Sequence, residues 1–400
     1  MDVAREHIVI RACGAISPLG YDEATVTQAY LAGSPSFQNI PHQGKVTPVA
    51  SLSAAAEEKI QELIATNSNY RQLDRSVLLA IYAARQAAEQ AGWLTTNAEQ
   101  QADLAVNIGS SRGATGLFEH HYDSFQKENL SPSSSPTTTL GNLSSWVGHA
   151  VNAGGAQISH SITCSTALMA IANGMAWLRA GMATRFLAGG TEAPLTDFTI
   201  AQMKAVGIYS KLYEHPYPCQ PYGSSGQNTF VLGEGAAVFA LEKSTASTLK
   251  PGDIIVESAG FGFEQIGSKT GISVDGLNFQ KSMRHALSQI NTAGGDIDVI
   301  ITHTPGTKAG DSAELNAINA VFPHQRPLIT TNKWLLGHTL GASGALSLQY
   351  ALYLLRHQQV PFPQYPVSFA TSTIPKIRCI LLNAAGFGGN ATSLLLRIIE

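Results

Sequence analysis

The sequence predicts an α/β fold of layered sheets and helices, assembled from two similar halves. Three observations carry this. Short apolar runs of β type alternate with longer helical stretches, the signature of layered α/β architecture. Two pairs of segments repeat across the chain. The composition is that of a compact globule with much buried surface: 44% hydrophobic residues, 13% charged residues and 37 glycines. A chain of 400 residues also exceeds one usual domain, as a doubled unit would.

The first strand is HIVIRACG at 7–14, and a helical stretch covers 75–91. DLAVNIGS at 103–110 is the next strand, and SPSSSPTTT at 131–139 is a loop by composition. A helix is expected over 165–180, a strand in RFLAGGTE at 185–192, and another in AAVFALEK at 236–243. HIVIRACGAIS near the start resembles DIIVESAGFGF at 253–263, and DLAVNIGSSRG at 103–113 resembles DVIITHTPGTK at 298–308. Each pair is a strand ending in a glycine-containing turn. The halves are expected at 1–248 and 249–400, joined near residues 245–252. A last long helix is expected over 342–356.

Charge and cysteine usage exclude several classes. A net charge of −3 leaves no general basic field for nucleic acid. Cys13, Cys164, Cys219 and Cys379 are far apart with no CxxC pair, against a zinc site or a disulfide framework. A reducing, cytoplasmic setting fits, and the first residues carry no apolar signal region. Stretches 161–178 and 334–355 lack charge over about a membrane span. Their Gly, Ser, Thr and Asn content reads as buried helices with preceding turns instead.

Five features can bear chemistry. Cys164, in SITCSTALMA, opens a helical run, where the helix dipole would lower a thiol pKa; equally, a lone cysteine is often a small core hydrophobe. His303 ends the strand DVIIT before a glycine turn, so it is aimed at a site or is a structural turn histidine. His338 lies in TNKWLLGHTLGASGA between Gly337 and Gly341, which permit close backbone approach. Lys333, beside an otherwise uncharged run, calls for a carboxylate partner. Finally, NAAGFGGNA at 383–391 follows an apolar strand; it is an ordinary turn or a flexible loop with Phe387 as an aromatic gate.

Cys164 in T-C-S, the histidine heading H-x-x-x-T-x-x-G-D-x-x-E, K-x-x-x-G-H-x-x-G-A-x-G and the late G-F-G-G together resemble the elongating 3-oxoacyl-[acyl carrier protein] synthases. These are the condensing enzymes of fatty-acid and type II polyketide synthesis. GAISPLG at 14–20 and FVLGEGAA at 230–237 are similar to further family segments, so the resemblance covers nearly the whole chain. It implies the thiolase fold: two βαβαβαββ-type halves in α-β-α-β-α layers.

The resemblance also implies a reaction. Cys164 takes the acyl group from a carrier protein. His303 and His338 promote decarboxylation of malonyl-carrier and stabilise the enolate. The N–H groups of Cys164 and Phe387 form the oxyanion hole. By the family pattern Lys333 supports the site, Glu314 is its partner, Asp311 fixes the loop and Phe387 gates the acyl pocket. Phe230 and Arg112 belong to the substrate pocket, and Arg71 and Lys211 to carrier docking, because carriers are acidic. No metal and no free cofactor are implied; phosphopantetheine arrives on the acyl carrier protein. The family is dimeric, with a second copy or a chain-length subunit. Cys–His–His favours elongation over a thiolase or initiating synthase acting on acyl-CoA. The nucleophilic cysteine argues against a non-elongating, pocket-shaping subunit. Cys379 reads as core.

The chain departs from the family at identifiable points. His303-Thr304-Pro305-Gly306-Thr307 replaces H-G-T-x-T. Ser225-Gly226-Gln227-Asn228-Thr229 replaces an acidic segment, Ser347 replaces a glutamate, and Ala385 replaces a phenylalanine. The segment 260–276 is short for a second gating loop. Arg112 stands where an apolar pocket residue is usual. A charge there suits a plain alkyl chain badly, so the expected substrate is polar, aryl or polyene-like, as in aryl-polyene synthesis; an interface salt bridge would account for it too.

Overall fold

A computed structural model describes residues 6–94, 100–265, 267, 272–290, 297–324, 326–369 and 376–400. Up to residue 245 the chain runs β1 (Glu6–Ile16), α1 (Glu23–Ala32), β2 (Gln38–His42), β3 (Lys45–Val49), α2 (Ala54–Thr66), α3 (Arg75–Gln90), β4 (Leu104–Gly109), α4 (Thr115–Gln126), α5 (Ser134–Thr138), α6 (Asn142–Ala150), β5 (Gln157–His160), α7 (Thr166–Arg179), β6 (Arg185–Glu192), α8 (Asp197–Ala205) and β7 (Gly235–Thr245). Beyond it follow β8 (Ile254–Phe263), α9 (Leu277–Ser288), β9 (Val299–Ile301), α10 (Lys308–Val321), β10 (Leu328–Thr330), α11 (Lys333–Leu336), α12 (Ser343–His357), β11 (Cys379–Gly386) and β12 (Asn390–Ile398).

Ten strands form one mixed sheet in the order β10-β9-β11-β12-β8-β1-β7-β6-β4-β5. From the central β1–β8 pair outward the two flanks match: β7, β6, β4, β5 on one side and β12, β11, β9, β10 on the other. The repeated segments therefore occupy equivalent places, β1 with β8 and β4 with β9. On each flank the outer three strands run parallel, as β4–β5–β6 and β9–β10–β11.

Helices α7 and α12 touch each other and contact strands of both flanks, whereas α3 lies on β1, β6 and β7, and α9 on β8, β11 and β12. That is the α-β-α-β-α layering, with α7 and α12 as the central layer. Their sequences explain the position. In α7, Ala167, Leu168, Ala170, Ile171, Gly174, Met175 and Leu178 are all buried, and a helix apolar all round belongs in a core. A Cβ on Gly174 would lie 3.0 Å from both Leu241 and Phe186, so the helix seats closely on the sheet. In α12, Leu346 and Leu348 are 0% exposed; truncating either to Ala would cost about 2–5 kcal/mol. The two uncharged stretches are these central helices with their preceding turns. Among the described residues no helix is long and apolar enough to cross a membrane.

One local expectation is corrected. Residues 131–139 are not all loop, because Ser134–Thr138 forms α5. The Thr137, Thr138 and Thr139 hydroxyls donate to the carbonyls of Ser133, Ser134 and Ser135. Pro136 sits in the first turn, where its missing N–H costs nothing. The shortened segment 260–276 lies partly outside the described residues.

Candidate active site

The site forms where the two central helices begin and where parallel strands end, a common location for ligands in α/β sheets. Cys164 precedes α7, His303 follows β9, and Lys333 and His338 follow β10. The donor atoms of Cys164, His303 and His338 all lie within 4.8 Å of one another, and all three residues are buried. The imidazole rings meet edge to face at 5.1 Å and 81°.

The chain packs each of them deliberately. Thr163 holds a positive φ of 57°, which turns the chain into α7 and directs Cys164 inward. His338 is held by a short backbone ladder: its N–H donates to Val231 at 2.7 Å, and its carbonyl accepts from Gly233 at 3.0 Å. Phe230 meets the His338 ring edge to face at 5.4 Å. Thus FVLGEG and the GH motif are two sides of one contact. A Cβ on Gly233 would lie 2.2 Å from the Leu336 carbonyl, so only glycine permits it. The turn after His303 is bound by Asp311, whose carboxylate accepts from the N–H groups of Gly306, Thr307 and Tyr222. Glu314, 0% exposed, accepts from the N–H groups of His303 and Thr304 and from the Asn383 amide.

Protonation follows from this packing. Burial holds both imidazoles well below their ordinary pKa, and the Lys333 charge pushes them further the same way. Both are therefore neutral at neutral pH. The Leu340 N–H donates to His338 Nδ1 at 3.2 Å, which leaves the proton on Nε2. His303 Nδ1 has no partner among the described residues, so its proton is not fixed in the same way. Burial lowers the Lys333 pKa and raises that of Glu314, and each charge opposes the other's shift. The two act on each other through space, because the Glu314 carboxylate is engaged by His303, Thr304 and Asn383. Ser347 donates to Asn332, beside Lys333, at 3.3 Å and supplies no second charge there.

The helix-dipole expectation for Cys164 is corrected. Cys164 stands before the N-cap Ser165 rather than in the first turn. Burial, reinforced by Glu192, pushes its thiol up to about 12, against a smaller opposite pull from Lys333. The resting group is a thiol, and acylation requires a base to take its proton. The three donors also have the types and spacing that suit a zinc ion with an open position, but a metal would first have to displace the thiol proton.

A cavity of about 390 Å³ opens onto these groups. Phe230 and Phe387 both line it; Phe387 is 45% exposed at the mouth. The turn after β11 docks on the nucleophile's turn. The Thr163 hydroxyl reaches the Phe387 carbonyl at 3.4 Å, and Asn390 bonds to both Ser165 and the Phe387 carbonyl. A Cβ on Gly386 would meet Thr163 Oγ1 at 1.6 Å and the Cys164 nitrogen at 3.0 Å.

Arg112 does not line this cavity, contrary to the sequence expectation. Its guanidinium bonds Gln202 in α8, next to the lining residue Met203, and its Nε is buried without a partner among the described residues. Arg71 and Lys211 are exposed. Ser210, next to Lys211, donates to the Phe230 carbonyl; no described contact ties Arg71 to the cavity. Cys379 is fully buried within β11, as core.

Three residues were missed. Glu192, 1% exposed, accepts from Ser110, Ser111, Arg112 and Gly341, and so ties the turn after β4 to the His338 turn. Burial raises its carboxyl to about 7. Its signal was available: it is the only charged residue after the strand's small apolar interior in RFLAGGTE. Cys219 is a second fully buried thiol whose surroundings include Lys333 and Asp311. Glu264 lines the cavity.

Comparison with known proteins finds relatives over nearly the whole chain. The profile of the beta-ketoacyl synthase N-terminal domain matches residues 5–246, and that of the C-terminal domain matches residues 255–365. The chain is 28% identical to 3-oxoacyl-[acyl-carrier-protein] synthase 2 of Coxiella burnetii, over 99% of this chain and all of that one. A beta-ketoacyl synthase from Burkholderia phymatum shares the fold with a TM-score of 0.84 at 21% identity, covering 99% of this chain and 100% of that chain. A ketosynthase in complex with its chain length factor, from Xenorhabdus doucetiae, does so with a TM-score of 0.80 at 22% identity, covering 98% of each chain.

Proposed function

This chain belongs to the beta-ketoacyl synthase family, and from that membership we propose that it is an elongating 3-oxoacyl-[acyl carrier protein] synthase. One observation carries the reading: a buried thiol and two neutral imidazoles converge within 4.8 Å at a cavity with an apolar end.

In this reading Cys164 attacks a carrier-borne acyl thioester and loses its proton to a neighbouring imidazole, and the carrier thiol leaves. The oxygen of the tetrahedral intermediate faces the N–H groups of Cys164 and Phe387. Malonyl-carrier then enters. Its carboxylate departs as CO2, and the freed electron pair forms an enolate. His338 donates its Nε2–H to the enolate oxygen, and His303 serves as the mobile proton carrier. The enolate carbon attacks the acyl group, the carbon–sulfur bond breaks, and Cys164 is reprotonated. Lys333 keeps both imidazoles neutral, while Glu314 and Asp311 hold the His303 turn. No free cofactor takes part; the pantetheine arm comes with the carrier.

The finer assignments belong to the same proposal. The halves divide at 248/249, and the setting is cytoplasmic, in keeping with four free thiols. Lys211 and Arg71 help dock the acidic carrier. The partner subunit is a second copy or a chain-length subunit. Support for a covered face comes from Phe118, Tyr122 and Phe125 on α4, each more than half exposed. The acyl chain is of polar, aryl or polyene type, a reading carried by the sequence departures from the family and not by Arg112, which does not line the cavity.

The test supplies acyl-carrier and malonyl-carrier together and follows CO2 and 3-oxoacyl product. Coupled release of both supports elongation, and neither from any acyl group contradicts it. Faster turnover of long saturated chains than of aryl or polyene chains contradicts the substrate assignment alone.

A further inference from the structure

The cavity wall has two chemically different parts. Around Cys164, the side chains of Ile200, Met203, Tyr209, Phe230, Leu232 and Leu340 form one apolar cluster. The cavity wall also carries Glu264, which lies beside Gly389 and is only 4% exposed. The position of Glu264 is built rather than incidental. Its N–H donates to the Gly389 carbonyl at 2.9 Å. A Cβ on Gly389 would lie 2.2 Å from the Glu264 carbonyl, so this approach needs glycine.

The Glu264 carboxylate accepts from the Ser273 N–H at 3.2 Å and from the Ser273 hydroxyl at 2.6 Å. No cation pairs with it among the described residues. An ionised carboxylate has about four acceptor positions. Two are filled, and the remainder border a cavity whose other walls are mostly apolar. Among the described residues only Ser273 donates to this buried carboxyl group, and buried polar groups favour further hydrogen-bond partners, so a ligand that brings N–H donors here is favoured.

We propose that Glu264 is a binding residue for the thioester's carrier arm, accepting an amide N–H of pantetheine while the acyl group lies against the apolar cluster. This rests on the reading that substrates reach Cys164 as pantetheine thioesters. The acyl chain is not the donor in this arrangement, because the apolar cluster around Cys164 claims it. Glu264 thereby makes the protein prefer thioesters with an amide-bearing handle over plain alkyl thioesters of the same acyl group.

The experiment loads Cys164 from two donors of one acyl group, an acyl-pantetheine and an S-butyl thioester, in wild type, Glu264→Ala and Glu264→Gln. Wild type is expected to load faster from the pantetheine donor. Glu264→Ala should cut that preference about tenfold, the size of one hydrogen bond, with a smaller effect on loading from the S-butyl thioester. Glu264→Gln keeps one acceptor oxygen and should retain part of the preference, between Glu264→Ala and wild type. An unchanged preference in Glu264→Ala overturns the inference. So does an equal loss with both donors, which would make Glu264 merely structural. Failure of wild type to load from either donor instead sinks the synthase reading on which the inference rests.

Discussion

The imidazoles of His303 and His338 meet edge to face at 5.1 Å, yet their ring nitrogens are satisfied differently. Leu340 occupies His338 Nδ1 and fixes it as an Nε2 donor, whereas His303 Nδ1 has no partner among the described residues. One ring is a fixed donor and the other is free to exchange its proton. A reaction that must both stabilise an enolate and move protons needs that pair.

Replacing either ring should therefore separate the two half-reactions. His338→Ala and His303→Ala are expected to reduce malonyl-carrier decarboxylation by about 10²–10⁴-fold. Acyl loading on Cys164 should survive far better in His338→Ala than decarboxylation does. Mass measurement of loading beside CO2 release checks this; equal losses in both steps would contradict it.

Lys333 lowers the pKa of both imidazoles and of the Cys164 thiol. In Lys333→Met all three should rise. The imidazoles then protonate at higher pH, so the acid limb of the condensation rate profile moves to higher pH. Cys164 should alkylate more slowly at any fixed pH. An acid limb moved to lower pH would contradict the assigned sign.

Gly386→Ala places a methyl 1.6 Å from Thr163 Oγ1 and 3.0 Å from the Cys164 nitrogen. The two turns must separate, which breaks the pairing of the Cys164 and Phe387 N–H groups. Loss of such donors costs about 10²–10³-fold, read as slower acyl loading. The change lies at a surface mouth, so the thermal midpoint should shift little.

Glu192 makes a stability prediction. Its folded-state carboxyl titrates near 7 rather than at its ordinary 4.5. Between those values the folded chain holds a proton that the unfolded chain releases. Stability from this group is therefore full below about 4.5 and falls as pH rises to about 7, by on the order of 3 kcal/mol at most. Glu192→Gln should flatten the pH dependence of the thermal midpoint across that window. An unchanged slope would contradict the shift.

The sequence was most legible where chemistry and punctuation coincide. Cys164, His303, Lys333 and His338 stood out because each sits at a strand or helix boundary beside small residues, and those boundaries converge at the site. The strands at 185–192 and 236–243 and the helices that became α7 and α12 were readable from their uninterrupted apolar runs. Glu264 was not, because a single acid at a strand end looks like surface until the fold buries it. The Cys164 thiol is pushed up rather than down, because it is buried beside Glu192 and stands before the N-cap Ser165. Arg112 was placed in the pocket by position alone, and only its side-chain bond to Gln202 and its absence from the cavity wall show otherwise. Residues 131–139 misled by composition, because hydroxyl groups that usually mark a loop bond back along α5.

The central claim is that Cys164 carries the acyl chain. Intact-protein mass after incubation with a panel of acyl-carrier proteins, beside Cys164→Ala, tests it most directly. The account predicts an acyl increment on the native chain and none on the variant, with the best-loading group naming the substrate class. An equal increment on both proteins, or none on the native chain with any acyl group, would contradict it.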